Sequence, residues 1–386
     1  MKKIYADNAS TTPIHPKVLA VLTDSLRDDW ANPSSIHTAG REVATTLAAA
    51  REKVAQLLGA ESNEIFFTSG GTEALNWAIR GTAVANSAKG KHIITQTTEH
   101  PAVLKTMTNL ESEGFEVTYL DVDKHGLVTP EQVGAAIRPD TTLVAIMHAN
   151  NETGTVFPIA EIAKITRAAG MPLLSDGVQT IGKLPVNMTN LGVDMYVLSA
   201  HKFHGPRGAA VLYIRRRTRL KNLIEGGGQE RRRRGGTENV AAIVAMTTAL
   251  EIATDNLAQV SETAKKRDYL IDQILTKIPH STLTGSPERR LCTHASFTFD
   301  FIEGESVLLM LDALGVAAST GSACSSESLT ASHVLLAMGI LEENAHGSLR
   351  LSITHDTTYD ELDYIVESLA KVVQRLREMS PLKASQ

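Results

Sequence analysis

The feature that most constrains the fold of this chain is a regular alternation of short apolar segments with helical patterns. Seven segments of four to six residues are apolar and bounded by turn signals, which is typical of buried strands. They cover residues 64–68, 92–96, 116–120, 142–147, 172–175, 195–199 and 209–214. Strands separated by helices predict a mainly parallel sheet covered by helices. The last two are joined by about nine residues, too few for a helical crossover, so one strand should be antiparallel.

A second, smaller region follows a long helical pattern that runs from residue 240 to about residue 278. Beyond it, apolar segments predict three further strands, and amphipathic patterns predict three helices. The strands are expected at 296–301, 315–319 and 348–353, and the helices at 305–314, 332–338 and 359–377. This mixture predicts a small α+β domain, and a length of 386 residues favours two domains.

The composition argues against a membrane or nucleic-acid protein. The net charge is −5, and no run approaches the roughly 20 apolar residues that a membrane-spanning helix needs. The first residues lack an apolar signal segment, and the two cysteines lack CxxC spacing. We therefore expect a cytoplasmic protein without a metal site. The basic run Arg231–Arg234 is short and has no aromatic neighbours, which favours an anion-contacting or solvated loop over a nucleic-acid site.

Polar residues collect where the predicted parallel strands end. The clusters are Thr98-Glu99-His100, His148 to Gly154, Asp176 to Gln179, and Ser199 to Lys202. Because the carboxyl ends of parallel strands share one edge of a sheet, these groups should converge on one ligand. The loop Ser69-Gly70-Gly71-Thr72 precedes a predicted helix, where a glycine backbone and a hydroxyl can cradle a phosphate group.

Two residues are candidates for covalent chemistry. Lys202 follows the strand 195–199, is flanked by His201 and His204, and precedes a Gly-Pro-x-Gly turn. Nearby positive charge and desolvation disfavour an ammonium group, and a neutral amine can form a Schiff base with an aldehyde. Cys324 lies in a small, polar stretch whose composition predicts an exposed thiol, whereas Cys292 has the pattern of an ordinary buried cysteine.

Taken together, these motifs resemble those of pyridoxal-phosphate (PLP) dependent cysteine desulfurases of the NifS/IscS type, on the class V aminotransferase fold. The resemblance runs from about residue 4 to residue 381. Its most specific motifs are Asn32-Pro33-Ser34-Ser35, Thr98-Glu99-His100, Asn150 to Gly154, Ser199 to Lys202 and Gly321-Ser322-Ala323-Cys324. It implies an α/β protein with the PLP-dependent transferase fold of the aspartate aminotransferase type. A large domain at 14–255 would hold a seven-stranded, mainly parallel sheet, and 1–13 with 256–386 would form a small α+β domain.

The resemblance also implies a role for each matched residue. Catalysis would involve Cys324, Lys202 and His100. PLP would be held by Lys202, Gly71, Thr72, His100, Asn151, Asp176, Gln179, Ser199 and His201, with Thr237 supplied by the partner subunit of a homodimer. The carboxylate of L-cysteine would be bound by Arg350 with Asn32, and Asn151 would also contact the substrate.

The products implied by the resemblance are L-alanine and a persulfide on Cys324. The persulfide sulfur would pass to an acceptor protein in iron–sulfur cluster assembly or in tRNA or cofactor thiolation. The short segment beyond residue 381 argues against docking of an iron–sulfur scaffold, and the Arg231–Arg234 run is expected to contribute to an acceptor surface.

Other functions stay open at this point. A selenocysteine lyase or an aminotransferase would use the same fold, although a plain aminotransferase needs no thiol at Cys324. A non-catalytic sulfur-relay scaffold would keep the fold without activity. Direct nucleic-acid binding is the weakest alternative, and salt-sensitive binding to RNA would be its signature.

Overall fold

The structure is a computed structural model, and it describes residues 3–320 and 330–380. Numbered along the chain, the strands are β1 (Ile4–Tyr5), β2 (Ile65–Thr68), β3 (His92–Gln96), β4 (Glu116–Leu120), β5 (Thr141–Ala145), β6 (Leu173–Asp176), β7 (Met195–Ser199), β8 (Ala210–Ile214), β9 (Ser281–Leu283), β10 (His294–Phe299), β11 (Val316–Ala317) and β12 (Ser348–Ser352). The helices are α1 (Pro16–Asp28), α2 (Thr38–Leu58), α3 (Gly71–Asn86), α4 (Pro101–Ser112), α5 (Pro130–Ala136), α6 (Ile159–Ala168), α7 (Met188–Leu191), α8 (Gln229–Arg232), α9 (Val240–Asp255), α10 (Val260–Lys277), α11 (Gly304–Ala313), α12 (His333–Ala337), α13 (Glu342–Ala345) and α14 (Tyr359–Met379).

The central sheet has seven strands in the order β2-β8-β7-β6-β5-β3-β4. Strands β3 to β7 pair in parallel, whereas β8 runs antiparallel to both β7 and β2. The predicted mainly parallel sheet and its one antiparallel strand are therefore confirmed. Each strand of this sheet lies within two residues of its predicted bounds.

Helices cover both faces of this sheet because its strands are apolar on both sides. Ile93 and Ile94 are neighbours on β3, yet Ile93 packs into one hydrophobic cluster and Ile94 into the other. This follows from the alternation of side chains across a strand. One cluster includes residues of α3 and α4, and the other includes residues of α1, α2 and α9.

The C-terminal region has its own sheet and its own core. Strands β12, β10 and β9 form an antiparallel sheet in that order. The core includes Phe297 and Phe299 on β10, together with Ile365 and Leu369 on α14. The predicted strand at 315–319 is shorter than expected, and it pairs in parallel with β1 near the N-terminus. Buried Ile4 joins this second core, while the domain boundary at residue 255 stays a prediction.

The helical pattern at 240–278 forms two helices, α9 and α10, separated by a 3-10 turn at Asn256–Gln259. The expectation that no segment is apolar enough to span a membrane was wrong on length and composition, because Val240–Lys277 passes that test. It is the one such stretch in residues 3–320 and 330–380. More than half of its apolar window is buried, and α9 packs against α1 and α2 as a core helix does.

A buried ion pair connects α2 to the segment that holds the arginine run. Both terminal guanidinium nitrogens of Arg51 donate to the Glu230 carboxylate, at 2.7 and 2.6 Å, and the backbone N–H of Phe67 donates to the same carboxylate at 2.9 Å. Glu230 begins three consecutive residues with positive φ (45°, 56° and 62°). Such a left-handed turn is costly for residues with a Cβ, so these hydrogen bonds stabilise a strained backbone.

Replacing Glu230 with Gln tests this pair. The substitution keeps the shape of the side chain but leaves the buried Arg51 guanidinium without its counter-charge, which should cost about 3 kcal/mol of unfolding free energy. Chemical denaturation of both proteins measures the difference. The matched control is Asp24→Asn, which removes one carboxylate of an exposed pair with Arg27 and should leave the unfolding midpoint unchanged. Equal effects of the two substitutions would contradict the role given to Glu230.

Candidate active site

The N-terminal segment crosses the carboxyl edge of the central sheet and meets Lys202 there. Lys202 lies in a 3-10 turn directly after β7, and its Nζ donates to the carbonyl oxygens of Ala9 at 2.7 Å and Ser10 at 2.8 Å. The N–H of Thr12 donates to the carbonyl of His201 at 2.9 Å, which fixes the same crossing. The lysine is thus held at the strand end where the sequence places it.

Asp176 is the last residue of β6 and is 7% exposed. One of its carboxylate oxygens accepts a hydrogen bond from the N–H of Val178 at 2.9 Å. The next residue must be glycine, because a Cβ on Gly177 would lie 2.0 Å from the ring of Tyr196. Burial raises the pKa of Asp176 to about 6, although the Val178 N–H and the charge of Lys202 act in the opposite direction.

His100 precedes α4, and its Nδ1 accepts a hydrogen bond from the N–H of Ala102 at 3.1 Å. Burial lowers its pKa to about 4, and the charges of Lys202 and His333 act in the same direction. The imidazole is therefore neutral at pH 7. Because Nδ1 is an acceptor, the ring proton lies on Nε2.

Gln179 lies one turn beyond Asp176 and is also buried. Its Nε2 donates to the carbonyl oxygen of Ala9 at 2.9 Å, the same oxygen that accepts from Lys202. Its Oε1 accepts from Nζ of Lys183 at 3.2 Å. Lys202, Asp176 and Gln179 therefore meet at one place, as the sequence predicts.

The residues predicted to cradle a phosphate lie where α3 begins, beside the end of β7. A Cβ on Gly71 would lie 3.0 Å from the side chain of Val178 and 3.7 Å from the Cβ of Ser199. Thr72 is exposed on the first turn of α3, and Nδ1 of His201 is 3.2 Å from the hydroxyl of Thr11. Glycine thus permits a close approach of this helix start to the strand ends.

The loop before α3 is fixed by an ion pair with the arginine run. Arg234 donates to both carboxylate oxygens of Glu73, at 2.8 and 3.0 Å. Glu73 also accepts hydrogen bonds from the backbone N–H and the hydroxyl of Ser69. Arg231 and Arg233 both lie over the ring of Phe66, at 5.9 and 5.6 Å from its centroid, and Arg231 and Arg232 are the exposed members of the run.

Arg350 on β12 brings the C-terminal region to the site. It is 3% exposed, and its guanidinium donates to the carbonyl of Asn151 at 2.9 Å, to Asp7 at 2.8 Å and to the hydroxyl of Ser10 at 2.6 Å. Its buried Nε has no hydrogen-bond partner among the described residues. The predicted neighbours Arg350 and Asn151 are therefore in contact.

Three predicted residues do not join this cluster in the described chain. Asn32 is exposed, and its side chain accepts from the N–H of Ser34 at 2.9 Å. Thr237 is exposed in the arginine segment. Cys324 lies outside the described residues. Within residues 3–320 and 330–380, no group of three His, Cys, Asp or Glu side chains could hold a metal ion.

Sequence reasoning missed several residues that contact the predicted ones. Asp7 and Ser10 contact Arg350, and Lys183 contacts Gln179. The spacing of four residues between Gln179 and Lys183 could have signalled that contact, since residues four apart lie on one face of a helical turn. Asp7 and Ser10 carry no such signal, because their partner is 340 or more positions away.

Comparison with known proteins agrees with this geometry. Residues 4–365 match the family model described as aminotransferase class-V. The chain is 49% identical over 382 residues to "Cysteine desulfurase IscS" of Methanosarcina thermophila, covering 99% of this chain and 94% of that protein. A solved structure described as "NIFS-LIKE PROTEIN" is 36% identical with a TM-score of 0.91, covering 97% of this chain and all of that one. Another, "SspA in complex with cysteine", is 35% identical with a TM-score of 0.80, covering 91% and 99%.

The structure has a lysine at the end of β7 and a buried aspartate nearby, in an α/β fold. Together with the family match, this fold and site define the protein as a class V aminotransferase-type enzyme. These enzymes depend on PLP. With relatives of this identity over nearly its whole length, the chain belongs to the cysteine desulfurases of the NifS/IscS type.

The buried carboxyl group of Asp176 gives a prediction about pH. Its pKa in the folded protein, about 6, is above its ordinary value of 3.8, so folding disfavours the ionised form. This cost is absent below the ordinary pKa, grows as the pH rises and is complete above about pH 6. Without added cofactor, Asp176→Asn should therefore gain in melting temperature over the wild type as the pH is raised from 5 to 8. Asp24→Asn, at an exposed position of α1, is the control. A difference in melting temperature between Asp176→Asn and the wild type that stays constant with pH would contradict the burial argument.

Proposed function

We propose that this protein uses PLP to remove sulfur from L-cysteine, which yields L-alanine and a persulfide on Cys324. The observation that carries the proposal is the meeting of Lys202, Asp176 and Gln179 at the carboxyl edge of the sheet. The family likeness supports the same reaction, and one relative of known structure is described in complex with cysteine.

The described residues fit PLP by their chemistry. Lys202 offers the amine that a cofactor aldehyde requires, and buried Asp176 offers a negative charge for the pyridine nitrogen. Gly71, Thr72, Ser199 and His201 offer backbone and side-chain donors for the phosphate at the start of α3. Gln179 would donate to the phenolic oxygen, and His100 would lie against the ring. When bound, PLP supplies an electron sink for the amino acid.

The protein's own residues then have separate tasks. The Arg350 guanidinium would bind the substrate carboxylate, for which its planar donors are suited, and its buried Nε lacks a partner among the described residues. Asn151 lies beside it, and Asn32 is proposed to complete this carboxylate site. Lys202 would move the proton at the substrate Cα, and Nε2 of neutral His100 would give or take a proton at the substrate. The Cys324 thiolate would attack the substrate sulfur, forming an S–S bond as the C–S bond breaks.

The two cysteines allow a direct test of this assignment. Cys324→Ala should abolish release of both alanine and sulfide from L-cysteine with reductant present, while the visible absorption of bound PLP remains. Cys292→Ala is the matched control, because Cys292 is 5% exposed and packed in the interior, and it should retain activity. Full activity of Cys324→Ala, or a wild type that binds PLP but is inert toward L-cysteine, would favour a lyase or an aminotransferase. A wild type that binds no PLP would favour a sulfur-relay scaffold.

We also propose that the enzyme is a homodimer, located in the cytoplasm, in which Thr237 of each subunit contacts the PLP phosphate of the other. Two large apolar side chains that are exposed in the single subunit support an interface at this face: Trp30 is 76% exposed and Ile36 is 90% exposed. They flank Asn32, and Ala31, the neighbour of Trp30, belongs to a small buried cluster with Val43 and Val240. Large exposed apolar side chains grouped in this way are typical of protein interfaces. The persulfide sulfur would then pass to an acceptor protein, and the place of Arg231 and Arg232 in that surface stays a prediction.

Introducing a charge into this face tests the dimer. Ile36→Arg should shift the sedimentation coefficient from that of a dimer to that of a monomer of 41.6 kDa, because a buried guanidinium without a partner is strongly unfavourable. It should also weaken retention of PLP, since the partner's Thr237 would be lost. Leu309→Arg, at an exposed leucine on α11, is the control and should change neither property. An unchanged dimer in Ile36→Arg would place the interface elsewhere.

A further inference from the structure

Lys183 is a buried lysine close to the site, and the reaction proposed above gives it no role. It lies in a compact series of turns that begins after Asp176, in which the N–H groups of Thr180 and Lys183 donate to the carbonyls of Gly177 and Thr180, both at 3.0 Å. This local winding brings Gln179 and Lys183 onto one face. Lys183 is 7% exposed, and its Nζ donates to Oε1 of Gln179 at 3.2 Å.

The two contacts of Gln179 fix the orientation of its amide. A backbone carbonyl can only accept, so the end of the amide that faces Ala9 must be the NH2 group. The oxygen then faces Lys183, whose amine donates whether or not it is charged. With the amide reversed, its NH2 group would face the donor Lys183 and its oxygen would face the carbonyl of Ala9, and both contacts would be lost.

We propose that Lys183 is a positioning residue that holds the Gln179 amide with its NH2 group directed at the Lys202 end of the site. This rests on the proposed function, in which Gln179 donates to the phenolic oxygen of PLP. The phenolic oxygen of PLP would accept a hydrogen bond from the NH2 group of Gln179. An amide that was free to rotate would present its own oxygen to this acceptor part of the time, and the hydrogen bond would then be lost. Lys183 thus acts on the cofactor through Gln179, without contacting it.

The surroundings of Lys183 agree with a role at the site. The charged and titratable groups that act on it are Lys202, Arg350 and Cys292, and it acts in turn on His204 and His294. Burial first, and then the positive charge of Lys202, lower the pKa of Lys183 to about 7. Lys183, Lys202 and Cys292 also line one cavity of about 60 Å³. Burying an amine among other cations is costly, and the hydrogen bond that Lys183 donates to Gln179 offsets part of this cost.

The test is a double-mutant cycle on the PLP-loaded enzyme with Lys183→Met, Gln179→Ala and the double variant. The measured quantity is the pH midpoint of the change in visible absorption. Loss of a donor to the phenolic oxygen should raise this midpoint by about one pH unit in Gln179→Ala and by a similar amount in Lys183→Met. Since both act through one contact, the double variant should shift no further than Gln179→Ala. Lys183→Arg, which keeps a donor, should restore most of the wild-type midpoint.

Removing a positive charge near Lys202 could raise the midpoint directly, and the cycle separates the two causes. If the effect is one of charge alone, Lys183→Met shifts the midpoint equally in the wild-type and the Gln179→Ala backgrounds, and that result would overturn the proposal. The absence of any shift in Lys183→Met would overturn it as well. Where Lys183→Met fails to fold, Lys183→Gln serves in its place. It should give a smaller shift in the wild-type background and none in the Gln179→Ala background, and equal shifts in both would again refute the mechanism.

If the proposed function is itself wrong, the same experiment gives a different result. A wild type that develops no visible band with PLP contradicts that function. In that case the cofactor-free proteins decide the inference by their unfolding midpoints in denaturant. If Lys183 holds Gln179, the two single substitutions are coupled, and the double variant is less destabilised than their sum. If the changes in unfolding midpoint are additive, the hydrogen bond from Lys183 does not hold Gln179 in place.

Discussion

The carbonyl oxygen of Ala9 accepts hydrogen bonds from both Lys202 and Gln179, and the arrangement of the site depends on this shared acceptor. It joins a residue near the N-terminus to the loops that follow β6 and β7. The neighbouring residues Asp7 and Ser10 extend the connection to Arg350, on β12 of the C-terminal region. A single short segment thus brings together groups from three distant parts of the chain. Backbone carbonyls suit this task because they accept from an amine and an amide alike.

The edge of the sheet around this acceptor carries buried ionisable groups at considerable cost. Burial raises the pKa of Glu99 to about 8 and that of Glu152 to about 7, while it lowers that of Lys183 to about 7. Both carboxyl groups are hydrogen-bonded: Glu99 accepts from the N–H of Met147 at 2.6 Å, and Glu152 accepts from the hydroxyl of Ser332. Groups with perturbed pKa values gathered at strand ends are typical of an active site, and burial alone would not concentrate them there.

A second set of charges fixes the loop before α3. Glu230 and Arg234, four residues apart in the arginine segment, bind Arg51 and Glu73 on two different helices. Together they hold the segment against β2 and the start of α3, next to the proposed phosphate site. The left-handed turn at Glu230 to Arg232 is tolerated because the carboxylate of Glu230 gains three buried hydrogen bonds. Arg234 therefore has a structural role, whereas a contribution of the run to an acceptor surface stays a prediction.

The sequence by itself determined the order of the elements and the edge at which the site lies. Apolar runs of strand length, broken by helices, predict a parallel sheet, and the polar groups after Gln96, Ser175 and Ser199 then share one edge for geometric reasons. Local patterns carry this information, because side-chain alternation and turn residues act over a few positions. They also mark Lys202 as a candidate for covalent chemistry.

Only the tertiary structure decided which of these groups touch. The contact of Lys202 with Ala9, and of Arg350 with Asp7 and Ser10, joins residues 193 or more positions apart, and no local pattern specifies such pairs. The pairing of Glu230 with Arg51 likewise anchors the segment that precedes the basic run in the interior. The protonation of Asp176 and Lys183 follows from burial, which depends on how the elements pack and not on which residues they contain.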